Sequence, residues 1–449
     1  MKRIILYIIC PLVLLASCKK IIEVGTPANQ LTTDKVFSDT TSATAALLSA
    51  YAIFNVSVDP NYNKYIDLYT DELNYSGSSS ATLEFLLSKV TVVNVNNQNI
   101  WSNLYFAIYQ CNDMIAQLKN STVLPPSAVT SLSAESKFLR AYAYFYLINL
   151  YGHIPLILTT DVNANAKAVQ TDSATVYQQI ISDLKGAQNG LTIAYPSPGR
   201  ARANKLAATA LLAKVYLFQG DWADAEIQAA SVINSGLYTP LQAPSTVFLA
   251  NSQETILSFA TVNGYIADGP NLIPNSGVPQ YPVTSALLNA FEAGDLRKSS
   301  WLKSINNGGN IYYYPYKYHN RTANTNSPEY LMALRAGEQY LIKAEAEANG
   351  AGNGINGAIA DLNVIRSRAG LPDYTGATDK GSLLNAIYHE RQIELFAENG
   401  NRFLDLKRTG RINAILSAYK STWVPTAELL PIPQNEITFD SNLKQNAGY

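Results

Sequence analysis

The chain has 449 residues, of which 47% are hydrophobic and 10% aromatic, so it can bury a large core. Its formal net charge of −1 at pH 7 argues against a protein that binds nucleic acid or anionic lipid through a basic surface. No charged run and no Pro- and Ser-rich linker divides the sequence, which favours one interwoven body over separable modules.

Residues 1–17 predict an export signal that takes no part in the fold, because a basic start precedes an apolar run from Ile4 to Leu15. This run is too short to span a bilayer stably. The sequence LASC at residues 15–18 resembles the lipobox of bacterial lipoproteins, which implies that Cys18 is lipidated and becomes the first mature residue. The alternative is an ordinary secretory signal with an incidental cysteine. We expect one domain over residues 18–449.

Helices are predicted where apolar residues recur near a period of 3.6. In the first half these segments are residues 41–54, 101–119, 133–151, 175–184, 204–218 and 223–233. Segment 133–151 is apolar around nearly its whole circumference, which predicts burial on several sides, and Gly152 ends it. Residues 19–29 predict a tether, and residues 59–80 predict a loop with a short helical piece at 67–73. Cys111 is expected to be a buried small hydrophobe rather than a nucleophile.

Residues 203–238 predict two short helices folded against each other. Gly220 suits a left-handed helix end, Asp221 suits an N-cap, and Trp222 closes the turn hydrophobically. The spacing of small and aromatic residues resembles that of tetratricopeptide hairpins. Since one hairpin cannot bury its own apolar face, other hairpins should stack on it.

The helical period disappears over residues 239–328, where Gly, Pro, Asn, Ser and Tyr accumulate. An irregular insertion of this length inside a compact protein is usually functional. The hairpin pattern returns at residues 334–348 and 357–369, and another helix is predicted at 382–399, ended by Gly400. Residues 425–449 should run extended over the body because of Pro431 and Pro433.

A resemblance to a known family extends over essentially the whole chain. The second half contains, in order, LRAGEQYLIKAEAEANG, AIADLNVIRSRAGL, HERQIELFAENGNRFLDLKR, LLPIPQNEI and NLKQNAGY. The first half contains AESKFLRAYAYFYLINLYGHIPLI and a hairpin with GDWADA. Together with the lipobox, this order resembles the SusD/RagB family of Bacteroidota outer-membrane lipoproteins. Asn401, where the family often has His, and Leu404, where it often has an aromatic residue, are minor departures.

The resemblance implies a mainly α fold, in which a superhelix of four tetratricopeptide-like helix pairs cradles irregular loops. Residues 239–328 would form the ligand face and residues 329–449 the motif-rich part. The family's implied role is to bind oligosaccharides, or in some members peptides, at the cell surface. The ligand would then pass to a SusC-like TonB-dependent transporter, which is the expected partner. The resemblance also implies a lipid-anchored outer-membrane protein that needs no cofactor.

Three glutamates, Glu390, Glu394 and Glu398, recur at i, i+4 on one predicted helix and are the candidates for a catalytic carboxyl pair. A glycoside hydrolase needs its two carboxyl groups across a cleft, roughly 5–9.5 Å apart. Glutamates stacked along one helix face instead favour a structural ion-pair network, with Arg391 and Arg402 at hand as partners. The sequence also lacks a paired histidine metal motif, a nucleophile elbow and a phosphate-binding loop. We expect no enzyme activity and no metal.

Aromatic residues outside the helices are the better signal, because sugar rings pack on aromatic planes while their hydroxyl groups need polar partners. The ligand-binding candidates are Tyr75, Tyr265, Tyr281, Trp301, Tyr312 and Tyr313. Tyr62, Tyr65 and Tyr314 belong to the same loop regions. The alternative is that these tyrosines fill loop cores, and it is favoured for Tyr316 and Tyr318, whereas Trp101 and Trp222 are assigned to helix packing.

Three functions from different classes remain open at this point. A surface nutrient-binding lipoprotein is the leading hypothesis, with peptide capture as a variant of it. A tetratricopeptide scaffold that binds protein partners is the second, and a hydrolase without a credible acid and base pair is the third. The sequence names neither the sugar nor its linkage.

Overall fold

The computed structural model describes residues 33–449 and, within them, the side chains of all residues except 33, 34, 56 and 59–61. The predicted export signal, Cys18 and the tether lie outside the described residues. Between residues 33 and 449, no helix combines the length and the apolarity that crossing a bilayer requires.

The first half of the chain is mainly helical. In chain order its helices are α1 Thr33–Val36, α2 Thr40–Ile53, α3 Asp59–Tyr69, α4 Ser80–Leu86, α5 Val95–Lys119, α6 Pro126–Tyr151, α7 Val162–Asn165, α8 Ser173–Gly190, α9 Lys205–Gln219 and α10 Trp222–Asn234. A π-helical turn, Phe54–Val58, joins α2 to α3, and a 3-10 turn, Pro198–Arg200, precedes α9. Two short antiparallel strands, β1 Ile154–Pro155 and β2 Gln170–Thr171, lie between α6 and α8.

The second half begins with irregular chain and returns to helices. Its strands are β3 Thr255–Phe259, β4 Leu302–Asn307, β5 Asn310–Pro315 and β6 Leu331–Arg335. Its helices are α11 Gly269–Leu272, α12 Ser285–Ala290, α13 Leu296–Trp301, α14 Ala336–Ala348, α15 Gly354–Arg368, α16 Lys380–Leu395, α17 Asn401–Arg408, α18 Ile412–Tyr419 and α19 Gln434–Phe439. A 3-10 turn spans Pro425–Glu428.

Within residues 33–449, long helices stack in succession as four pairs: α2 with α5, α6 with α8, α9 with α10, and α14 with α15. Each pair packs on the next, so the apolar face that one hairpin exposes is covered by its neighbour. The predicted repeat architecture is confirmed, and the mainly α fold with it.

The turn between α9 and α10 follows the sequence prediction. Gly220 has a φ of +69° and donates its amide to the Leu217 and Tyr216 carbonyls, as a left-handed helix end does. The Asp221 carboxylate accepts the Asp224 amide at 3.3 Å and caps α10. Small residues without solvent exposure let the two helices approach; they are Ala213, Ala225 and Ala229. Trp222, expected to be buried, is only half-buried against this core.

The predicted loop over residues 59–80 is wrong in its first part, which forms α3. A proline in the first turn favours this helix start, and Tyr62, Ile66 and Tyr69 follow at helical spacing with buried side chains. The polar composition of the segment obscured that period. Tyr65 is buried on the same helix, so neither Tyr62 nor Tyr65 belongs to a loop surface.

The irregular insertion, residues 239–328, is confirmed and is closed at its base by two antiparallel strands. β3 precedes most of the insertion and pairs with β6, which leads directly into α14. The strand β6 was missed, since residue 334 was predicted to begin a helix. A second pair, β4 and β5, forms a hairpin within the insertion, with Lys303 opposite Tyr314 and Ile305 opposite Tyr312.

The last described segment, residues 425–449, crosses the first half of the molecule. The Leu430 amide donates to the Leu150 carbonyl at 2.9 Å, and the Asn97 side chain donates to the Pro431 carbonyl at 2.8 Å. The predicted extended course is confirmed, except that α19 interrupts it. Helix α16 ends at Leu395 rather than near Asn399, and Gly400, with a φ of +62°, begins α17.

Candidate functional site

Backbone pairing brings three of the ligand candidates together. Residues 74–76 run beside residues 280–282, with amide-to-carbonyl distances of 2.8 and 3.0 Å. The next amide along the second segment donates to the carbonyl of Tyr313 at 2.8 Å. The rings of Tyr75 and Tyr281 pack with their centroids 5.4 Å apart. Sequence positions more than 200 residues apart thus meet at one surface.

These neighbours differ in accessibility. Tyr281 is only 3% exposed, and its burial raises the pKa of the phenol. Tyr75 is half-buried, and its hydroxyl accepts the Ser79 amide at 3.2 Å. The expectation that Tyr281 offers an open ring to a ligand is therefore wrong in this structure, whereas Tyr75 and Tyr313 keep part of their surface in solvent.

Trp301 is the largest correction to the predicted site. Its side chain is 1% exposed, and its indole nitrogen donates to the Pro244 carbonyl at 2.7 Å. The rings of Phe248 and Phe396 pack against it with centroids 5.6 and 6.2 Å away. The polar residues before it suggested a surface loop, but Arg297 is itself buried in ion pairs. Trp301 belongs to the core under the insertion.

A row of half-buried tyrosines lies on one face of the β4–β5 hairpin. Tyr312 and Tyr314 share that face because side chains alternate along a strand, and Tyr316 continues the alternation just past β5. The Tyr316 ring stacks on His319 at 4.3 Å with planes 17° apart, and the Lys303 amine lies 4.7 Å from the same ring. We call these five residues the tyrosine row.

Sequence reasoning missed part of this row. Tyr316 was assigned to the core together with Tyr318, but only Tyr318 is buried, and its hydroxyl accepts the Met332 amide at 2.9 Å. The signal was present in the spacing of two between Tyr312, Tyr314 and Tyr316, which is the period of a strand. Tyr265 is half-buried on a separate loop of the insertion.

The three glutamates, Glu390 and Glu394 on α16 and Glu398 just past its end, form a buried ion-pair network, as predicted. Glu394 and Glu398 both bind Arg335, at 2.5 and 2.7 Å, and Arg335 also binds Glu254 at 3.0 Å. Further cations complete the network: Arg297 binds Glu390 and Glu394, Lys317 binds Glu398, and Arg368 binds Glu394.

The predicted partners of the glutamates were wrong, however. Arg391 instead binds Asp405 at 2.8 Å, and Arg402 binds Asp71 at 2.7 Å. The true partners come from β6, α13, the end of α15 and the segment after β5, all of which lie outside α16. Arginines near the glutamates along the chain point to other faces of their helices, so proximity in sequence misled the assignment.

The electrostatics of this network suit structure rather than acid–base chemistry. Burial alone would raise the pKa of Glu398, but the charges of Arg335 and Lys317 hold it below its ordinary value. Burial lowers the pKa of Lys317 to about 8, although its partner Glu398 opposes that shift. The Glu394 and Glu398 carboxylates are both buried, so a sugar could not sit between them as hydrolysis requires.

Among residues 33–449, neither Cys111 nor a cluster of metal-ligating side chains offers a reactive site. Burial raises the pKa of the Cys111 thiol to about 12, so Cys111 behaves as the buried hydrophobe that the sequence predicted. Over residues 33–449, no group of three or more His, Cys, Asp and Glu side chains is placed to hold a metal ion.

Two family models match this chain. The SusD family model matches residues 289–449, and a model described as starch-binding and associating with the outer membrane matches residues 26–217. SusD-like protein P25 of Formosa agariphila is 25% identical in an alignment 442 residues long, which covers 82% of this chain and 82% of that protein. The first model includes residues 289–328, the last part of the insertion, and neither model covers residues 218–288.

Solved structures agree with the fold. A SusD superfamily protein from Bacteroides vulgatus has a TM-score of 0.78 at 21% identity, covering 92% of this chain and 100% of that one. A laminarin-binding SusD-like protein also has a TM-score of 0.78, at 25% identity, covering 91% of this chain and 99% of that one. The overall fold is therefore that of known structures.

Proposed function

Because this chain belongs to the SusD/RagB family, we propose that it binds oligosaccharides at the outer membrane without transforming them. The tyrosine row is the observation that carries this proposal. Its half-buried rings are spaced along one face of a hairpin, and sugar rings pack on such planes. Lys303 and His319 supply polar groups at the edge of the row. Tyr75 and Tyr313, at the neighbouring surface, extend the area available to a ligand.

The cellular setting follows from the same family membership. A family description that includes association with the outer membrane supports that location, and the LASC sequence supports anchoring through a lipid on Cys18. We propose that the bound oligosaccharide passes to a SusC-like TonB-dependent transporter. Glu394 and Glu398 are buried in ion pairs with Arg335, which supports a binding role over hydrolysis at these carboxylates.

Peptide capture, as in RagB-like members, is the second candidate. A row of aromatic rings also accommodates apolar peptide side chains, so the tyrosine row alone does not separate the two ligands. A scaffold that binds proteins through its helix pairs is favoured less, because those pairs bury their faces on each other. The ligand test must therefore offer glycans and peptides side by side.

The test is a calorimetric titration of the full-length protein in detergent. Laminarin oligosaccharides are the first probes, because a similar solved protein is described as laminarin-binding, and a glycan and peptide array follows. The double change Tyr312→Ala with Tyr314→Ala should weaken oligosaccharide binding at least about tenfold, equivalent to about 1.4 kcal/mol. The melting temperature should change little.

Tyr109→Ala is the matched control, since Tyr109 is 45% exposed on α5, away from the hairpin. It should leave the affinity unchanged. Equal affinity in the native chain and the double variant would remove the tyrosine row as the site. Binding of peptides but of no glycan on the array would replace the oligosaccharide proposal with the peptide alternative.

A further inference from the structure

A cleft of ≈ 290 Å³ opens on a different part of the molecule, between α5, the chain that follows β1, and α19. It shares no residue with the tyrosine row or with its neighbours Tyr75 and Tyr313. The volume is near the lower end of ligand sites, which is about 300 Å³, and matches one or two sugar rings rather than a long chain.

Aromatic rings form the floor and one wall of this cleft. Tyr105 is half-buried and faces the cleft, whereas Trp101, only 2% exposed, supports it from the side on α5 with ring centroids 4.9 Å apart. The hydroxyl of Tyr105 donates to the Pro155 carbonyl at 2.8 Å, and Tyr151 packs edge-on against Trp101 at 4.8 Å. These contacts hold the floor rigid before any ligand arrives, which lowers the entropy cost of binding.

Phe439 stands at the mouth of the cleft and is 85% exposed. A phenylalanine that turns nearly its whole ring to solvent contributes little to the core, since burial is what makes such a side chain stabilising. It closes the last turn of α19, directly beside the aromatic floor. A flat ligand that enters the cleft would therefore lie between Phe439 and the ring of Tyr105.

Polar groups surround this aromatic surface. Glu436 accepts the Gln98 side chain at 2.9 Å, and Asp440 accepts the Asn442 amide at 3.0 Å. A carboxylate has two oxygens with about four lone-pair positions, so both acids keep capacity to accept ligand hydroxyl groups. Asn165 lines the opposite wall with an amide group. Hydrogen-bond acceptors beside aromatic planes are what a sugar ring requires.

The charge of the lining narrows the ligand class. Among the described residues that line the cleft there are two acids and no Lys, Arg or His. A uronic acid or a sulfated sugar would meet carboxylates without a compensating cation, which costs free energy. We propose that the cleft is a second carbohydrate site, which takes one or two rings of a neutral hexose between Phe439 and Tyr105.

The test uses neutral disaccharides, namely maltose, cellobiose and laminaribiose, with the full-length protein in detergent. The protein carries 5-fluorotryptophan, and the resonance of Trp101 is assigned with Trp101→Phe. A disaccharide should shift this resonance saturably, and Phe439→Ala should weaken that titration at least about tenfold. Asp440→Asn should weaken it less, since an amide still accepts one hydrogen bond.

Phe106→Ala is the matched control, because Phe106 is 51% exposed on the same helix but does not line the cleft. It should leave the titration unchanged. If no disaccharide moves the Trp101 resonance, or if Phe439→Ala titrates like the native chain, the proposal is overturned. Stronger binding of a glucuronic acid disaccharide, or of a lysine peptide in place of sugars, would also overturn it.

The proposed function is tested by a different variant, so the two failures can be told apart. The Tyr312→Ala with Tyr314→Ala chain should keep the disaccharide titration at Trp101. If the double variant loses oligosaccharide binding, the tyrosine row remains the glycan site. If disaccharides also leave the Trp101 resonance unchanged, only the proposal for the cleft fails.

Discussion

The α9–α10 hairpin and the insertion over residues 239–328 are stabilised in opposite ways. The hairpin packs through small apolar side chains with no exposed surface, such as Ala213 and Ala225. At the base of the insertion, buried charges join β6 to its surroundings, because Arg335 binds Glu254 within the insertion, Glu394 on α16 and Glu398 just past α16. Close packing and clustered ion pairs therefore coexist within one body.

Apolar packing and buried ion pairs suit different kinds of segment. Apolar packing suits repeated helices, because any neighbour with the same period can cover the exposed face. An irregular segment lacks such a period, and charged groups with fixed hydrogen-bond geometry specify its position instead. The insertion can then vary its surface, including the tyrosine row, while its attachment stays constant.

The largest effect should come from Arg335→Met, which removes the cation shared by Glu254, Glu394 and Glu398. Glu394 and Glu398 keep other cations, so Glu254 is the carboxylate left buried without one of the ion pairs described above. Removing one partner of a buried ion pair typically costs about 3–5 kcal/mol, because the remaining charge stays desolvated. We expect a loss of this size in the free energy of unfolding, measured by urea denaturation.

Arg140→Met provides the comparison in the helical part, since Arg140 binds a single carboxylate, Asp183, at 2.7 Å between α6 and α8. It should cost less than Arg335→Met, because it removes an ion pair from one carboxylate rather than from three. Equal losses in the two variants would contradict the idea that the insertion depends on clustered charge.

A second effect compares two tryptophans. Truncation of a fully buried Trp to Ala typically costs about 3–5 kcal/mol, and Trp301, at 1% exposure, should follow this rule. Trp222 is half-buried, so Trp222→Ala should cost about half as much. Thermal melts of both variants measure the difference, and a larger loss at Trp222 would show that the hairpin turn matters more than the insertion core.

The smallest effect concerns acid. Arg335 and Lys317 hold the pKa of Glu398 below its ordinary 4.5 despite burial, so its stabilisation is present above about pH 4.5 and is lost as the pH falls through the lower folded-state value. Burial raises the pKa of Glu390 and opposes this change. Hydrogen exchange between about pH 6 and pH 3, corrected for intrinsic rates, should show protection falling first in residues 239–335. Earlier loss of protection in residues 205–234 would contradict the expectation that the insertion is the more acid-sensitive region.

Much of the helical architecture was predictable from the sequence. Local signals are sufficient for Gly220 and Asp221, whose conformations follow from a glycine and an N-cap residue at a helix junction. The helix α3 was missed because its buried positions are tyrosines among asparagines, a composition that also occurs in loops. Its helical period was present but was given less weight than composition.

The site was less predictable, because its residues are brought together by pairing across long sequence distances. Tyr75 meets Tyr281 only through the pairing of residues 74–76 with 280–282, and no local pattern announces that pairing. Trp301 was misplaced for the same reason, since its neighbours Phe248 and Phe396 are remote in sequence. The alternation through Tyr312, Tyr314 and Tyr316 was the one local signal, and it survives as the tyrosine row.

The path of residues 425–449 ties folding to the order of synthesis. Asn97 and Pro431 are joined by a hydrogen bond although 334 residues separate them, and the Leu430 amide meets the Leu150 carbonyl. Helices α5 and α6 therefore keep one side uncovered until the ribosome has made nearly all of the described chain. Contacts this distant form late, and in the meantime the nascent polypeptide exposes apolar surface of the kind that chaperones shield.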